Sequence, residues 1–193
     1  MKKWLVIALV AIVAVFTVMG SYNSLVQAEE EIDSVWANVE SSYQRRADLI
    51  PNLVNTVKGQ ANFEQETLTR VIEARANASQ TKIDPANMTE QQLAEFQQSQ
   101  NQVGSALSRL LVTVERYPEL QANQGFMNLQ AQLEGTENRI NKARNDFNAA
   151  ARIYNQKVRQ FPTKLVAMLF GFKEKPYFKS SEGAENAPVV SFN

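Results

Sequence analysis

Apolar residues follow two regimes along this chain. The stretch WLVIALVAIVAVFTVMG, residues 4–20, is almost continuously aliphatic and aromatic, and no charged residue occurs from Trp4 to Ala28. Beyond it the apolar steps become threes and fours, the spacing of one helix face. Ile32, Val35, Trp36, Val39, Tyr43, Ala47 and Ile50 form the first such stripe. Pro51, with Asp48 three residues before it, predicts a helix stop and restart. A second stripe holds Leu53, Val54, Val57, Ala61, Leu68, Val71 and Ile72, fading after Ala78, and Asp84-Pro85 marks a turn within residues 80–88. Thr89 and Gln92 predict a capping box for a third helix, striped by Leu93, Phe96, Val103, Leu107, Leu110, Leu111 and Val114 and closed by Tyr117-Pro118.

The last stripe is the most regular. From an Asn123 cap, Phe126, Leu133, Ile140, Phe147, Tyr154 and Phe161 recur every seven residues, with Leu129, Ala143 and Ala150 between them. That period predicts knobs-into-holes packing. Helices are therefore predicted near 22–49, 52–78, 89–116 and 124–160. Short connections between amphipathic helices predict an all-α, antiparallel up-and-down four-helix bundle behind an N-terminal transmembrane helix. The expected organisation is an anchor at 1–26, a bundle at 27–160, a basic and aromatic amphipathic segment at 161–179, and a disordered tail at 180–193.

Length supports the anchor. The apolar run extends with mild polarity to Val26, giving roughly 26–34 Å of helix against a hydrocarbon core of about 30 Å. Trp4 and Tyr22 stand where interfacial aromatics belong. A cleaved signal peptide is the competing reading, with Val26-Gln27-Ala28 as the cleavage site, although the run exceeds the usual apolar region of such peptides. Lys2 and Lys3 precede the span and Glu29, Glu30 and Glu31 follow it, so the N-terminus is expected inside and the bundle outside the cytoplasm. The expected location is the inner membrane of a bacterial cell, single-pass.

Composition removes most chemistry. There is no cysteine and no histidine, which excludes thiolate and imidazole nucleophiles, bases and metal ligands. Lys plus Arg and Asp plus Glu balance at 20 each, unlike the net basic footprint of a nucleic-acid binder. Glycines are scattered singly, so no phosphate-cradling loop is present. No enzyme, cofactor or metal is expected, and no nucleic-acid partner.

Two local groups remain as candidates. Arg45, Arg46, Asp48, Lys58, Glu64, Glu134 and Glu137 form a polar set. Read as structure, Arg45 pairs with Asp48 and one guanidinium reaches Glu134 or Glu137; read as function, the set is an anion or ligand site. Between Phe161 and Lys179, lysines alternate with aromatics, which makes Lys164, Phe170, Phe172, Lys173 and Lys175 candidate membrane contacts. The alternative is a flap capping the open end of the bundle.

Particular runs carry a family resemblance. They include YNSLV at 22–26, YQRRADLIPNLV at 43–54, YPEL at 117–120, LEGTENRI at 133–140 and AMLFGFKEKPYF at 167–178. From Tyr22 to Phe178 the chain resembles the LemA proteins. The resemblance implies a membrane anchor and a four-helix domain of unsettled molecular role. After Lys58-Gly59 the family typically has Tyr-Ala-x-His-Glu, whereas Gln60 through Glu64 stand here, so no role of that aromatic or histidine transfers. Family descriptions that place the short N-terminus outside give the opposite topology.

The favoured function is a membrane-anchored helical binding or scaffold protein. Its expected partners are the bilayer, through the N-terminal helix and the C-terminal segment, and a membrane protein or a second copy. Alternatives are a membrane-shaping protein, because magnetosome-membrane proteins resemble this family, and an enzyme with an unrecognised polar site.

Overall fold

A computed structural model of the protein describes residues 2–60 and 63–179. Among the described residues the fold is all-helical, without strands. Helix α1 spans Lys2–Lys58, followed by α2 (Gln65–Gln80), α3 (Glu90–Val114), the single turn α4 (Pro118–Gln121), α5 (Gln124–Arg159) and α6 (Thr163–Phe170). Ala61 of the second stripe and the tail predicted to be disordered from 180 lie outside the described residues.

At 57 residues, α1 is roughly 86 Å long, enough to cross a bilayer and then line a domain. Its first part is exposed on every side, with an 18-residue window of mean hydropathy 2.5 and none of it buried. From Ser21 and Leu25 one face becomes buried, so packing starts inside the range assigned to the anchor. The predicted break at Pro51 does not occur, and residues 52–58 continue α1 rather than opening the second helix. Proline lacks the N–H that would bond to the carbonyl four residues back. Here that carbonyl, on Ala47, instead accepts from Arg75 Nε at 2.7 Å. The helix ends at Lys58, ahead of Gly59, and α2 begins seven residues later.

Local signals elsewhere act as read. Thr89 and Gln92 form a reciprocal capping box, Asn123 caps α5, and Asp84 accepts from the Ala86 N–H in a 3-10 turn at Pro85–Asn87. Phe126, Leu133, Ile140, Phe147 and Tyr154 are all buried. Phe161 departs from the heptad: it lies beyond α5, its bond to Pro162 is cis, and it is 81 % exposed.

Helices α1 and α5 pack along much of their length. Lys157 donates to Ser24 Oγ (2.9 Å) and Arg46 to Glu137 (3.2 Å), so the two run antiparallel. Helix α2 packs mainly on α3, and Arg116 pairs with Glu64 (2.9 Å) at the end farthest from the apolar span. The core forms two clusters. One gathers Trp36, Phe96, Phe147, Tyr154 and Phe178 on the side of the apolar span; the other gathers Ile50, Leu53, Leu68, Leu110 and Phe126 beyond it.

Candidate functional site

Arg46 sits in the apolar stripe of α1, between Tyr43 and Ile50, and is 4 % exposed. A buried guanidinium is costly unless its donors are met. Nη1 donates to Glu137 Oε2 (3.2 Å), while Nη2 donates to the Gln100 carbonyl (2.9 Å) and to its side-chain oxygen (2.7 Å). The Tyr43 ring lies 5.1 Å from the guanidinium carbon. A Cβ on Gly104 would stand 4.0 Å from Nη1, an ordinary contact, so the cation makes no demand for glycine there. Burial lowers the Arg46 pKa, opposed by the Glu137 carboxylate, and burial raises that of the Tyr43 phenol against Arg144 and Arg46. At neutral pH both keep their protons, so this pair supplies no general base.

The rest of the predicted polar set is dispersed. Arg45 is exposed, and Asp48 accepts from Gln44 (2.7 Å) rather than from Arg45. Lys58 is exposed at the end of α1, Glu64 is taken by Arg116, and Glu134 accepts from Gln130. The structure thus brings together only Arg46 and Glu137 of the seven. Among the described residues no cluster of three or more acidic, histidine or cysteine side chains is placed to hold a metal. Beside Arg46, between α1 and the α2–α3 hairpin, lies an open groove of about 450 Å³.

The C-terminal segment divides into two parts. Helix α6 buries Val166 and Ala167 and exposes Leu165, Met168, Leu169 and Phe170. It lies beside the point where α1 leaves the packed domain: Phe170 and Phe172 meet Tyr22 edge-on, at 4.9 and 5.7 Å. Lys164 and Lys173 are exposed on this side. Gly171, at φ 81°, ends the helix in the left-handed region that favours glycine.

Residues 172–179 then form an extended strap. Side-chain amides hold its main chain in pairs of bonds. Asn155 bonds both the carbonyl and the N–H of Lys175, Asn148 does the same for Phe178, and Gln97 for Lys179. Phe178 is seated between Trp36 (6.1 Å, stacked) and Phe147 (5.5 Å, edge-on), with Arg144 over its ring. Lys175 is 4 % exposed and donates to the Pro85 (2.9 Å) and Ala86 (2.8 Å) carbonyls, with Glu29 at 3.1 Å. It is therefore not available to lipid, which corrects its place among the candidate membrane contacts; Phe172 is likewise half-buried against the core.

Three buried polar atoms in this region have no hydrogen-bond partner among the described residues: Asp33 Oδ1, Trp36 Nε1 and the Tyr154 hydroxyl. Burial raises the pKa of Asp33 against the pull of Lys175, and it raises that of Tyr154. In the sequence Asn148, Asn155 and Gln97 are three among 17 asparagines and 17 glutamines. The seven-residue spacing of Asn148 and Asn155, one position past Phe147 and Tyr154, was the available signal.

Known proteins resemble this chain over most of its length. The chain is 27 % identical to Magnetosome protein MamQ 2 of Paramagnetospirillum magneticum, over 97 % of this chain and 75 % of the relative. It is 28 % identical to Magnetosome protein MamQ of Magnetospirillum gryphiswaldense, over 96 % and 74 %. Protein LemA of Metamycoplasma hominis is 24 % identical over 86 % of this chain and 73 % of that protein. The model of the LemA family matches residues 35–192. With most of the chain under that match, the protein belongs to the LemA family.

Proposed function

We propose that the protein is a non-catalytic, membrane-tethered binding or scaffold module. Its N-terminal helix stays attached as a single-pass anchor in the inner membrane of a bacterial cell. Its helices act as an up-and-down four-helix bundle on the extracytoplasmic side, presented to another membrane protein or to a second copy. Lys2 and Lys3 before the span, and three glutamates after it, support this orientation.

One observation carries the reading: α1 runs without interruption from an apolar, wholly exposed segment into the buried stripe of the domain. Cleavage after Ala28 would remove Leu25, which is fully buried, and Ser24, which accepts from Lys157. The segment thus acts as part of the domain as well as its tether. Helix α6 adds a second contact in this reading, its exposed Leu165, Met168 and Leu169 entering the acyl boundary while Lys164 and Lys173 reach headgroups. The buried arginine gives catalysis no support, because Glu137 and Gln100 already satisfy it. The test is N-terminal sequencing of the mature protein after alkaline extraction of membranes. Retention of residues 4–28 in the membrane pellet is expected; a released chain beginning at Glu29 would refute the anchor.

A further inference from the structure

We propose that the groove between α1 and the α2–α3 hairpin is a binding site for a single carboxylate carried on a small apolar body. The argument starts at Pro51. Its missing N–H leaves the Ala47 carbonyl without a helical donor, and Arg75 Nε fills that place at 2.7 Å. The bond fixes the guanidinium at the groove wall, and its two terminal nitrogens take part in no ion pair among the described residues. Asp48, the acid next in sequence to Ala47, is engaged by Gln44. Lys82, in the connection after α2, lines the same groove and also has no acidic partner among the described residues.

The floor is apolar, made by Ile50, Phe96 and Val103, and the buried Arg46 closes the back. A volume of about 450 Å³ falls within the range of small-molecule sites. Chemistry selects the occupant. A guanidinium fork matches a planar carboxylate through two parallel bonds, and the lysine adds a point charge. Glu40 is the acid on the lining, and it opposes a second negative charge, so a monoanion fits better than a phosphate dianion. The apolar floor then takes a ring or short chain. This inference rests on the reading of the chain as a binding module but not on its anchor, so its failure leaves the extraction result standing.

The experiment uses the full chain in phosphatidylcholine nanodiscs, with empty nanodiscs as the baseline, and fluorine NMR of 4-fluorophenylacetate. Saturable binding with a dissociation constant on the order of 1 mM is expected. The neutral 4-fluorobenzyl alcohol and the dianionic 4-fluorophenyl phosphate should bind roughly tenfold more weakly or worse. Arg75→Lys keeps the charge but loses the fork, and should weaken binding about tenfold. Lys82→Met breaks no side-chain bond among the described residues and should weaken it about threefold, which keeps the test open if the arginine variant does not fold. Pro51→Ala restores an N–H that competes for the Ala47 carbonyl; it should weaken binding without lowering Tm. Three results would overturn the proposal: no saturable binding above empty nanodiscs, an alcohol or phosphate that binds as tightly, or unchanged affinity in both Lys82→Met and Pro51→Ala.

Discussion

A Phe147→Asp chain is expected to lose the cooperative folded state of its helical domain. Phe147 is fully buried and meets Trp36 and Phe178 edge-on, each at 5.5 Å. Removing the ring costs about 3–5 kcal/mol in lost packing. The carboxylate that replaces it adds several more, since an unpaired charge in an apolar site keeps little of its hydration. Together these reach the whole stability of an ordinary domain, about 5–15 kcal/mol. Arg144, one turn away, offers no rescue, because it is stacked on Phe178 and donates to the Lys179 carbonyl. Thermal melts followed by the near-ultraviolet signal of the tryptophans should show no transition. A melt like the parent's would mean that the heptad face of α5 is not core.

The second large effect separates lysines that the sequence presents as alike. Lys175→Ala would strip the Pro85 and Ala86 carbonyls of their donor and leave Glu29 without its cation. Breaking a buried pair in this way costs about 3–5 kcal/mol. That corresponds to a fall in Tm of roughly 6–20 °C for a chain of this size. Lys164→Ala and Lys173→Ala, at exposed positions, should stay within about 0.5 kcal/mol of the parent. Equal melting temperatures for all three variants would show that the strap adds nothing to the fold.

What could be read in advance follows from how far each signal reaches. Stripes, caps and the heptad are local, and α3, α5 and their caps form where their residues place them. That one guanidinium reaches Glu134 or Glu137 was legible; that the pair is Arg46 with Glu137 was settled only by the packing of α1 on α5. Pro51 misled because a proline's cost depends on what becomes of one carbonyl, and the arginine that takes it lies 28 residues from Ala47. Gly59, eight residues on, marked the actual end of α1. The strap was hidden for a related reason. Its hold on the core comes from side-chain amides meeting main-chain groups, which leaves no apolar period, and Lys175 differs from Lys164 through distant partners: the carbonyls of a turn, Glu29 and Asn155. Phe161 fits the heptad in number, but the helix ends two residues earlier.

We propose a domain whose α6 end rests on the membrane that α1 crosses, and one labelling experiment tests this directly. The chain has no cysteine, so a single nitroxide can be placed by Leu169→Cys on the exposed face of α6, or by Gln121→Cys at the opposite end of the domain. In liposomes, accessibility to oxygen and to a water-soluble nickel complex reports depth. The account predicts a Leu169 label within the acyl boundary, favouring oxygen and shielded from nickel, and a Gln121 label open to nickel. A Leu169 label as open to nickel as that at Gln121 would contradict it.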